Sequence, residues 1–207
     1  MRLELDRISK SYGQRSVLHN IAAEVETGEA LLVTGHNGSG KSTLLRLLAG
    51  LQRPTGGTIR YIAAGITYSP LRAQGLVGLV GADVQLYREL TADEHIDFVA
   101  RLRGLSLTPQ LRNGELERVG LGGRGTEQVG GFSSGMVQRM RYVLALLHRP
   151  PVLLLDEPTT NLDQEGIAMV DEIVAEQRQQ GLLVIATNDR RDLHYGDLVL
   201  TLDAHTN

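Results

Sequence analysis

Apolar positions along the chain fall into short runs and alternations, separated by stretches of helical periodicity. Leu3 and Leu5, then Ile8 after a break, alternate with charged residues over 2–8, which predicts a half-buried strand. Residues 17–25 predict a second short strand. Gly28-Glu29 then turns the chain into Ala30-Leu31-Leu32-Val33, an unbroken apolar run suited to a strand covered on both faces. A glycine-rich loop over 35–40 follows directly. After it Leu44, Leu47, Leu48 and Leu51 recur at helical spacing, with Gly50 as a stop signal. Short β stretches are predicted at 58–61 and 76–80. Thr91 and Glu94 form a capping box that opens a helix through Ile96, Val99 and Leu102, ending near Gly104. Residues 105–131 read as a short helix and then a loop heavy in glycine.

A further helix starts at Ser133, places Met136, Met140, Val143, Leu144 and Leu147 on one face, and ends at Arg149-Pro150-Pro151. The strand 152–155 runs into Asp156-Glu157-Pro158. An amphipathic helix over about 164–180 stops at Gly181, and strands are predicted at 182–187 and 197–202. Apolar strands separated by helices predict an α/β domain around a largely parallel sheet. The helix-rich stretch from about 88 to 148 reads as inserted between two of its strands.

Composition narrows the picture. The chain has 207 residues, a size suited to one domain, and 42% hydrophobic with 22% charged residues is ordinary globular usage. Aromatic residues make up 4%, with no Trp, which disfavours aromatic platforms for single-stranded nucleic acid. Lys and Arg total 21 against 24 Asp and Glu, a formal charge of −3, so no basic excess exists to hold a phosphate backbone. The absence of Cys excludes disulfides, thiolate metal sites and a thiol nucleophile. No apolar run approaches the length of a membrane-spanning helix and the N-terminus lacks a signal-peptide core, so a soluble chain is expected.

Three segments carry chemistry. Gly35-His36-Asn37-Gly38-Ser39-Gly40-Lys41-Ser42-Thr43 fits the phosphate-binding loop pattern between a predicted strand and a predicted helix. Glycines allow backbone N–H groups to turn around phosphate oxygens, and the helix N-terminus adds its positive dipole end. Lys41 supplies a point charge for the β- and γ-phosphates, and the Ser42 hydroxyl can ligate Mg²⁺. The second segment puts Asp156 and Glu157 at the carboxyl end of a buried strand, where open α/β sheets bind ligands. Asp156 is suited to Mg²⁺, and Glu157 to orienting or deprotonating an attacking water. Alone, that pair is equally a solvated strand end. The third segment, Phe132-Ser133-Ser134-Gly135-Met136, is an anion nest at a helix N-terminus or simply an N-cap.

The order of these segments, with Tyr12 before them and Thr160-Asn161-Leu162-Asp163 after, resembles that of ATP-binding cassette ATPases across essentially the whole chain. The resemblance implies a P-loop NTPase fold with a largely parallel core sheet, an N-terminal antiparallel β subdomain and an inserted α-helical subdomain. It divides the single domain 1–207 into a nucleotide-binding core, about 1–87 and 149–207, and a helical part, about 88–148. It further implies ATP and Mg²⁺ as ligands and two cassettes packed head to tail, so that Ser133, Ser134, Gly135 and Met136 touch nucleotide bound to the partner. Tyr12 matches the aromatic that stacks on adenine, and Asp163 the residue linking the two sites. The chain is also similar to exporter-type subunits, including the small haem-export ATPase and the ABC-2-type subunits. From this follow a homodimer, a separate transmembrane permease docking near Gln85-Leu86-Tyr87 and the helix after Thr91, and a cytoplasmic location peripheral to the cell membrane. No nucleic-acid partner is expected.

The chain departs from the family pattern at three places. Phe132 and Ser134 replace the first and third residues of the Leu-Ser-Gly-Gly signature. The position of a metal-sensing glutamine falls on Ala82 or Asp83, of which only Asp83 could meet a metal through water. Asn188 stands where a histidine contacts the γ-phosphate, and Asn can donate a hydrogen bond but carries no charge. The first departure keeps a small residue beside the phosphate and is tolerable; the other two, at Ala82/Asp83 and Asn188, favour as an alternative an ATP-gated module with weak hydrolysis. A non-transport cassette acting on nucleic acid or ribosomes is the other alternative. His36 lies in the phosphate loop. His19, His95, His148, His194 and His205 show no metal spacing and read as surface or loop residues, and Arg139 and Arg141 read as solvated.

Overall fold

Two sheets meet across a shared apolar layer in the computed structural model, which describes residues 1–202; His205 lies outside them. Strands β1 (Arg2–Tyr12), β2 (Arg15–Glu26), β4 (Gly56–Ala63) and β5 (Ile66–Tyr68) form an antiparallel sheet in the order β2-β1-β4-β5. Strands β6 (Val77–Val80), β7 (Val152–Asp156), β8 (Leu182–Ala186), β3 (Ala30–Thr34) and β9 (Leu198–Thr201) form a wholly parallel sheet in that order. Helix α1 (Lys41–Leu48) follows β3, and a single-turn α2 (Pro70–Ala73) precedes β6. Helices α3 (Ala92–Leu102), α4 (Pro109–Arg118) and α5 (Ser134–Leu146) lie between β6 and β7, and α6 (Gln164–Gln180) joins β7 to β8. No helix among the described residues is long and apolar enough to cross a membrane.

The continuous apolar runs are explained by two separate cores. Successive side chains of a strand point to opposite faces. Ala30, Leu32, Leu153, Leu155, Leu183 and Ile185 pack with α3, α5 and α6, whereas Leu31, Val33, Leu154, Leu182 and Val184 pack with α1 and the antiparallel sheet. The break between Leu5 and Ile8 is also physical. Arg7 takes a left-handed φ of 51° at a register shift between β1 and β2, and the extra residue returns Ile8 to the face that buries Leu3 and Leu5.

One local expectation is corrected, and two elements gave no sequence signal. Leu51 does not extend the apolar stripe of α1, because the helix ends at Leu48 and Gly50, at φ 69°, redirects the chain and leaves Leu51 58% exposed. Strand β5 carries Ile66 exposed at a sheet edge, so no burial pattern marks it. The 3-10 segment Arg190–Tyr195 is too short and too polar to show a period.

Candidate nucleotide-binding site

Strand β3 delivers the chain at the carboxyl edge of the parallel sheet into the loop 35–40, and Gly40 caps α1. Gly40 sits at φ 102°, and a Cβ there would lie 2.8 Å from Leu18 and 3.0 Å from Val17, so only glycine brings the loop this close to β2. Lys41 is buried. Its ammonium donates to the Gly35 carbonyl at 2.7 Å and the His36 carbonyl at 3.3 Å, so the loop wraps a fixed positive charge. Asn37, Gly38, Gly40, Lys41, Ser42, Thr43 and Glu157 line one cavity of about 480 Å³, together with Arg15 and Val17 of β2. The Ser39 hydroxyl is buried without a hydrogen-bond partner.

Strand β7 brings the two carboxylates to the same edge. Burial pushes the Asp156 carboxyl above the ordinary range, opposed by the Ser42 hydroxyl, Lys41 and Arg46. One Asp156 oxygen, Oδ1, is buried with no partner. An orphaned anionic oxygen beside a serine hydroxyl fits Mg²⁺, which takes one or two protein ligands and completes its shell with phosphate oxygens and water. Among the described residues no cluster of three or more acidic or imidazole side chains could hold a metal alone.

Glu157 has a left-handed φ of 50°, which turns its side chain off the strand axis. Its Oε1 lies 3.8 Å from the Lys41 ammonium, and its Oε2 accepts from the Asn188 backbone N–H at 3.3 Å with the Thr187 hydroxyl oxygen 3.2 Å away. Burial raises its pKa, and the Asn188 N–H and Lys41 pull the other way. The Asn188 side chain donates to Asn37 Oδ1 at 2.5 Å, joining the end of β8 to the phosphate loop. Behind these groups, Thr187 and Thr159 donate to the buried Asp192 at 2.6 and 2.8 Å. Lone polar residues in a loop gave no sequence signal for this node.

The other candidates lie elsewhere. None of Ser133–Met136 lines the phosphate-loop cavity. Ser133 caps α5 by accepting from the Met136 N–H at 3.2 Å, and Ser133 and Ser134 are exposed. A Cβ on Gly135 would meet the Asn161 carbonyl at 2.8 Å, so the segment rests on the 159–162 turn of its own chain. Tyr12 is 45% exposed and does not line the cavity; its hydroxyl donates to Gln52, and the Lys10 ammonium lies 5.0 Å from its ring. Asp163 caps α6 through the Gly166 N–H at 2.9 Å and pairs with Arg139, which together hold its carboxyl below the usual range. Asp83 is ion-paired to Arg46 of α1.

The expectation of solvated arginines is overturned, and that of surface histidines fails at His95 and His148, whereas His19 and His194 are exposed as expected. Arg139 is buried and donates to the Val119 carbonyl at 2.7 Å and to Asp163 at 2.7 Å. We predict that Arg139→Met destabilises folding by about 1.5–3 kcal/mol, the scale of a charged hydrogen bond whose buried acceptor is left unpaired; urea unfolding of the two proteins measures it. Arg141 donates to the Val84 carbonyl at 3.0 Å. His95 is 2% exposed, with Nε2 accepting from the Tyr87 N–H at 2.9 Å and Nδ1 at 2.9 Å from the Thr91 carbonyl. Both His148 ring nitrogens are buried, and burial, then Arg103, push its pKa down to about 4 against the opposing pull of the Val77 backbone.

The sequence model described as ABC transporter matches residues 18–160. The chain is 35% identical over 192 residues to an uncharacterized ABC transporter ATP-binding protein, YxlF, of Bacillus subtilis, covering 92% of this chain and 63% of that relative. It is 32% identical over 186 residues to the lantibiotic transport ATP-binding protein SrtF of Streptococcus pyogenes, covering 90% of this chain and 79% of SrtF. Against the linearmycin resistance ATP-binding protein LnrL of Bacillus subtilis it is 31% identical, spanning 60% of that protein's length. Among solved structures, the ATP-binding subunit of an ABC transporter aligns with a TM-score of 0.86 at 29% identity, covering 100% of this chain and 89% of that one. A dimeric ATP-binding cassette bound to ADP and Pi shares the fold, with a TM-score of 0.85 at 23% identity and coverage of 99% and 97%.

Proposed function

The chain belongs to the ABC transporter family, and from that premise we propose that it binds and hydrolyses ATP as one of two cassettes that drive a separate membrane permease, of exporter type. The observation that carries this reading is the convergence of Lys41, Glu157 and Asn188 on one side of a phosphate loop, with an unpartnered Asp156 oxygen beside Ser42. The relatives named for lantibiotic transport and linearmycin resistance support the exporter assignment.

In this mechanism the loop N–H groups and Lys41 bind the β- and γ-phosphates, and Tyr12 receives the adenine. Ser42 and Asp156 hold Mg²⁺, which supplies neutralisation of phosphate charge. Glu157 accepts the proton of the water that attacks the γ-phosphorus, giving ADP and phosphate. Its hydrogen bond from the Asn188 N–H fixes the carboxylate, while the Asn188 amide is placed to exchange Asn37 for a γ-phosphate oxygen. The exposed Ser133–Gly135 turn lies off its own phosphate loop, which supports its use by the nucleotide of a second copy. Asp163, held by Arg139 next to that turn, sits where the two copies would meet.

The permease docks at the cavity of about 220 Å³ between β6 and α3, lined by Leu86, Tyr87, His95 and Phe98. Exposed Tyr87 and Phe98 meet edge-on there at 6.3 Å. Docked in this way, the protein would lie on the inner face of the membrane through its permease.

Asn188 also favours weak hydrolysis, because its amide cannot supply the charge of an imidazolium. Asn188→His is expected to raise turnover about tenfold, or about 1.4 kcal/mol of barrier, with ATP affinity nearly unchanged. Unchanged turnover in the variant would remove this position from the chemistry.

A further inference from the structure

Asp192 is a buried carboxylate that no step of the mechanism uses. It is 1% exposed and has no cation beside it: Arg191 pairs with Asp189 instead, and among the described residues no ion pair reaches Asp192. Its two oxygens are satisfied by hydroxyls from two different loops. Oδ1 accepts from Thr159, in the turn after β7, at 2.8 Å, and Oδ2 accepts from Thr187, at the end of β8, at 2.6 Å. Both threonines are themselves buried. A charge held in the interior by hydroxyls alone is costly. An amide of the same shape could accept only one of the two hydroxyl protons on its oxygen, so the position calls for a group that accepts twice.

The direction of the Thr187 hydroxyl decides what surrounds Asn188. A hydroxyl has one proton and two lone pairs. With the proton on Asp192, the Thr187 oxygen accepts from the Asp189 N–H at 2.9 Å and turns its other lone pair towards Glu157, 3.2 Å away. The backbone at Asn188 is therefore held on both sides: its own N–H donates to Glu157 Oε2 at 3.3 Å, and the next N–H donates to Thr187. The Asp192 N–H closes the segment on the Asp189 carbonyl at 3.2 Å. In the facing turn, the Glu157 N–H donates to the Ala186 carbonyl at 2.8 Å, and the buried Tyr142 hydroxyl donates to the Pro158 carbonyl at 3.1 Å. Asp192 thus clamps from behind two loops whose front edges carry Glu157 and Asn188.

We propose that Asp192 is a positioning residue for hydrolysis: by holding the Thr159 and Thr187 hydroxyls at once, it fixes Glu157 and Asn188 relative to each other and keeps the Asn188 amide aimed at the phosphate loop. This rests on the ATPase reading above, in which those two residues meet the attacking water and the γ-phosphate. Asp192 does not line the phosphate-loop cavity, so it acts only through the residues it holds. The loop that binds the phosphates is built from other residues, 35–43, and Lys41 is fixed by the carbonyls of Gly35 and His36. Loss of the clamp therefore falls on the chemical step and spares nucleotide affinity.

The test is turnover of the full chain over a range of Mg-ATP concentrations, beside equilibrium binding of a fluorescent ATP analogue. Asp192→Asn is expected to lower turnover at saturating ATP about 10- to 100-fold, the cost of misplacing reacting groups by about 1 Å. KM and analogue affinity should stay within about threefold of the wild type, the pattern of an interaction that matters only in the transition state. Thr187→Val, which removes the hydroxyl at nearly constant volume, should give the same split, and Thr187→Ser, which keeps the hydroxyl, should regain most of that loss. If Asp192→Asn does not fold, the two Thr187 variants alone decide. Unchanged turnover in a folded Asp192→Asn, or equal loss in Thr187→Val and Thr187→Ser, overturns the proposal. Turnover and affinity falling by the same factor overturn it too, since that would mark Asp192 as a support of the fold. A wild-type chain that binds no nucleotide, or binds it without turnover, would instead overturn the ATPase reading, and this role of Asp192 with it.

Discussion

Replacing Glu157 with glutamine is expected to lower steady-state ATP turnover by about 10²- to 10⁴-fold, the range supplied by a positioned general base. Glutamine keeps the shape and can still accept from the Asn188 N–H, which reaches Oε2 at 3.3 Å. It cannot accept a proton from water. ATP affinity should hold or rise, since the carboxylate that faces Lys41 at 3.8 Å no longer competes with phosphate for that ammonium. Equilibrium binding of a fluorescent ATP analogue beside phosphate release separates the two effects. The same residue sets a pH limb. Burial raises the Glu157 pKa, and the base works only when ionised, so turnover should fall as pH drops through that raised value, at higher pH than an exposed glutamate would give. Loss of turnover together with loss of binding would mark Glu157 as structural.

Lys41→Ala is expected to weaken ATP binding by about 10- to 150-fold, the equivalent of one charge-assisted contact of about 1.5–3 kcal/mol to phosphate. Lys41 is buried and donates to the Gly35 and His36 carbonyls at 2.7 and 3.3 Å, so the charge shapes the loop as well as meeting the ligand. Isothermal titration with ATP and with adenosine distinguishes the roles. Adenosine has no phosphates, so its weak binding should be unaffected; equal loss for both ligands would mean that the loop has collapsed.

Local physics made most of the fold legible. The run Ala30–Val33 and its counterparts at 152–155 and 182–186 announced buried parallel strands because each is covered on both faces by separate cores. The capping box at Thr91 and Glu94 formed as written, with both hydrogen bonds made. The phosphate loop was readable because its glycines answer a backbone requirement, seen in the φ of 102° at Gly40.

Side chains that act across long stretches of sequence were not readable. Arg139 reads as a helix-surface charge, yet its partners are a carbonyl at the end of α4 and a carboxylate capping α6. Asp192 gave no signal because Thr159 and Thr187, which satisfy it, come from two other loops. His95 looked like an exposed helix residue until its acceptor nitrogen was seen to hold the Tyr87 backbone. For Arg139 and His95 the helical periodicity was correct, and in all three cases the fold supplied a partner that no local pattern encodes.

The central claim is that one copy's phosphate loop and another's Ser133–Gly135 turn form a single ATPase site. The measurement that tests it most directly is Mg-ATP turnover per chain as a function of protein concentration, with Ser133→Arg run beside the wild-type chain. Turnover per chain should rise with concentration as dimers form, and Ser133→Arg should suppress that rise while leaving ATP binding by the monomer intact. Turnover per chain that stays constant across the range, with Ser133→Arg as active as the wild type, would contradict the account and place the whole reaction within one copy.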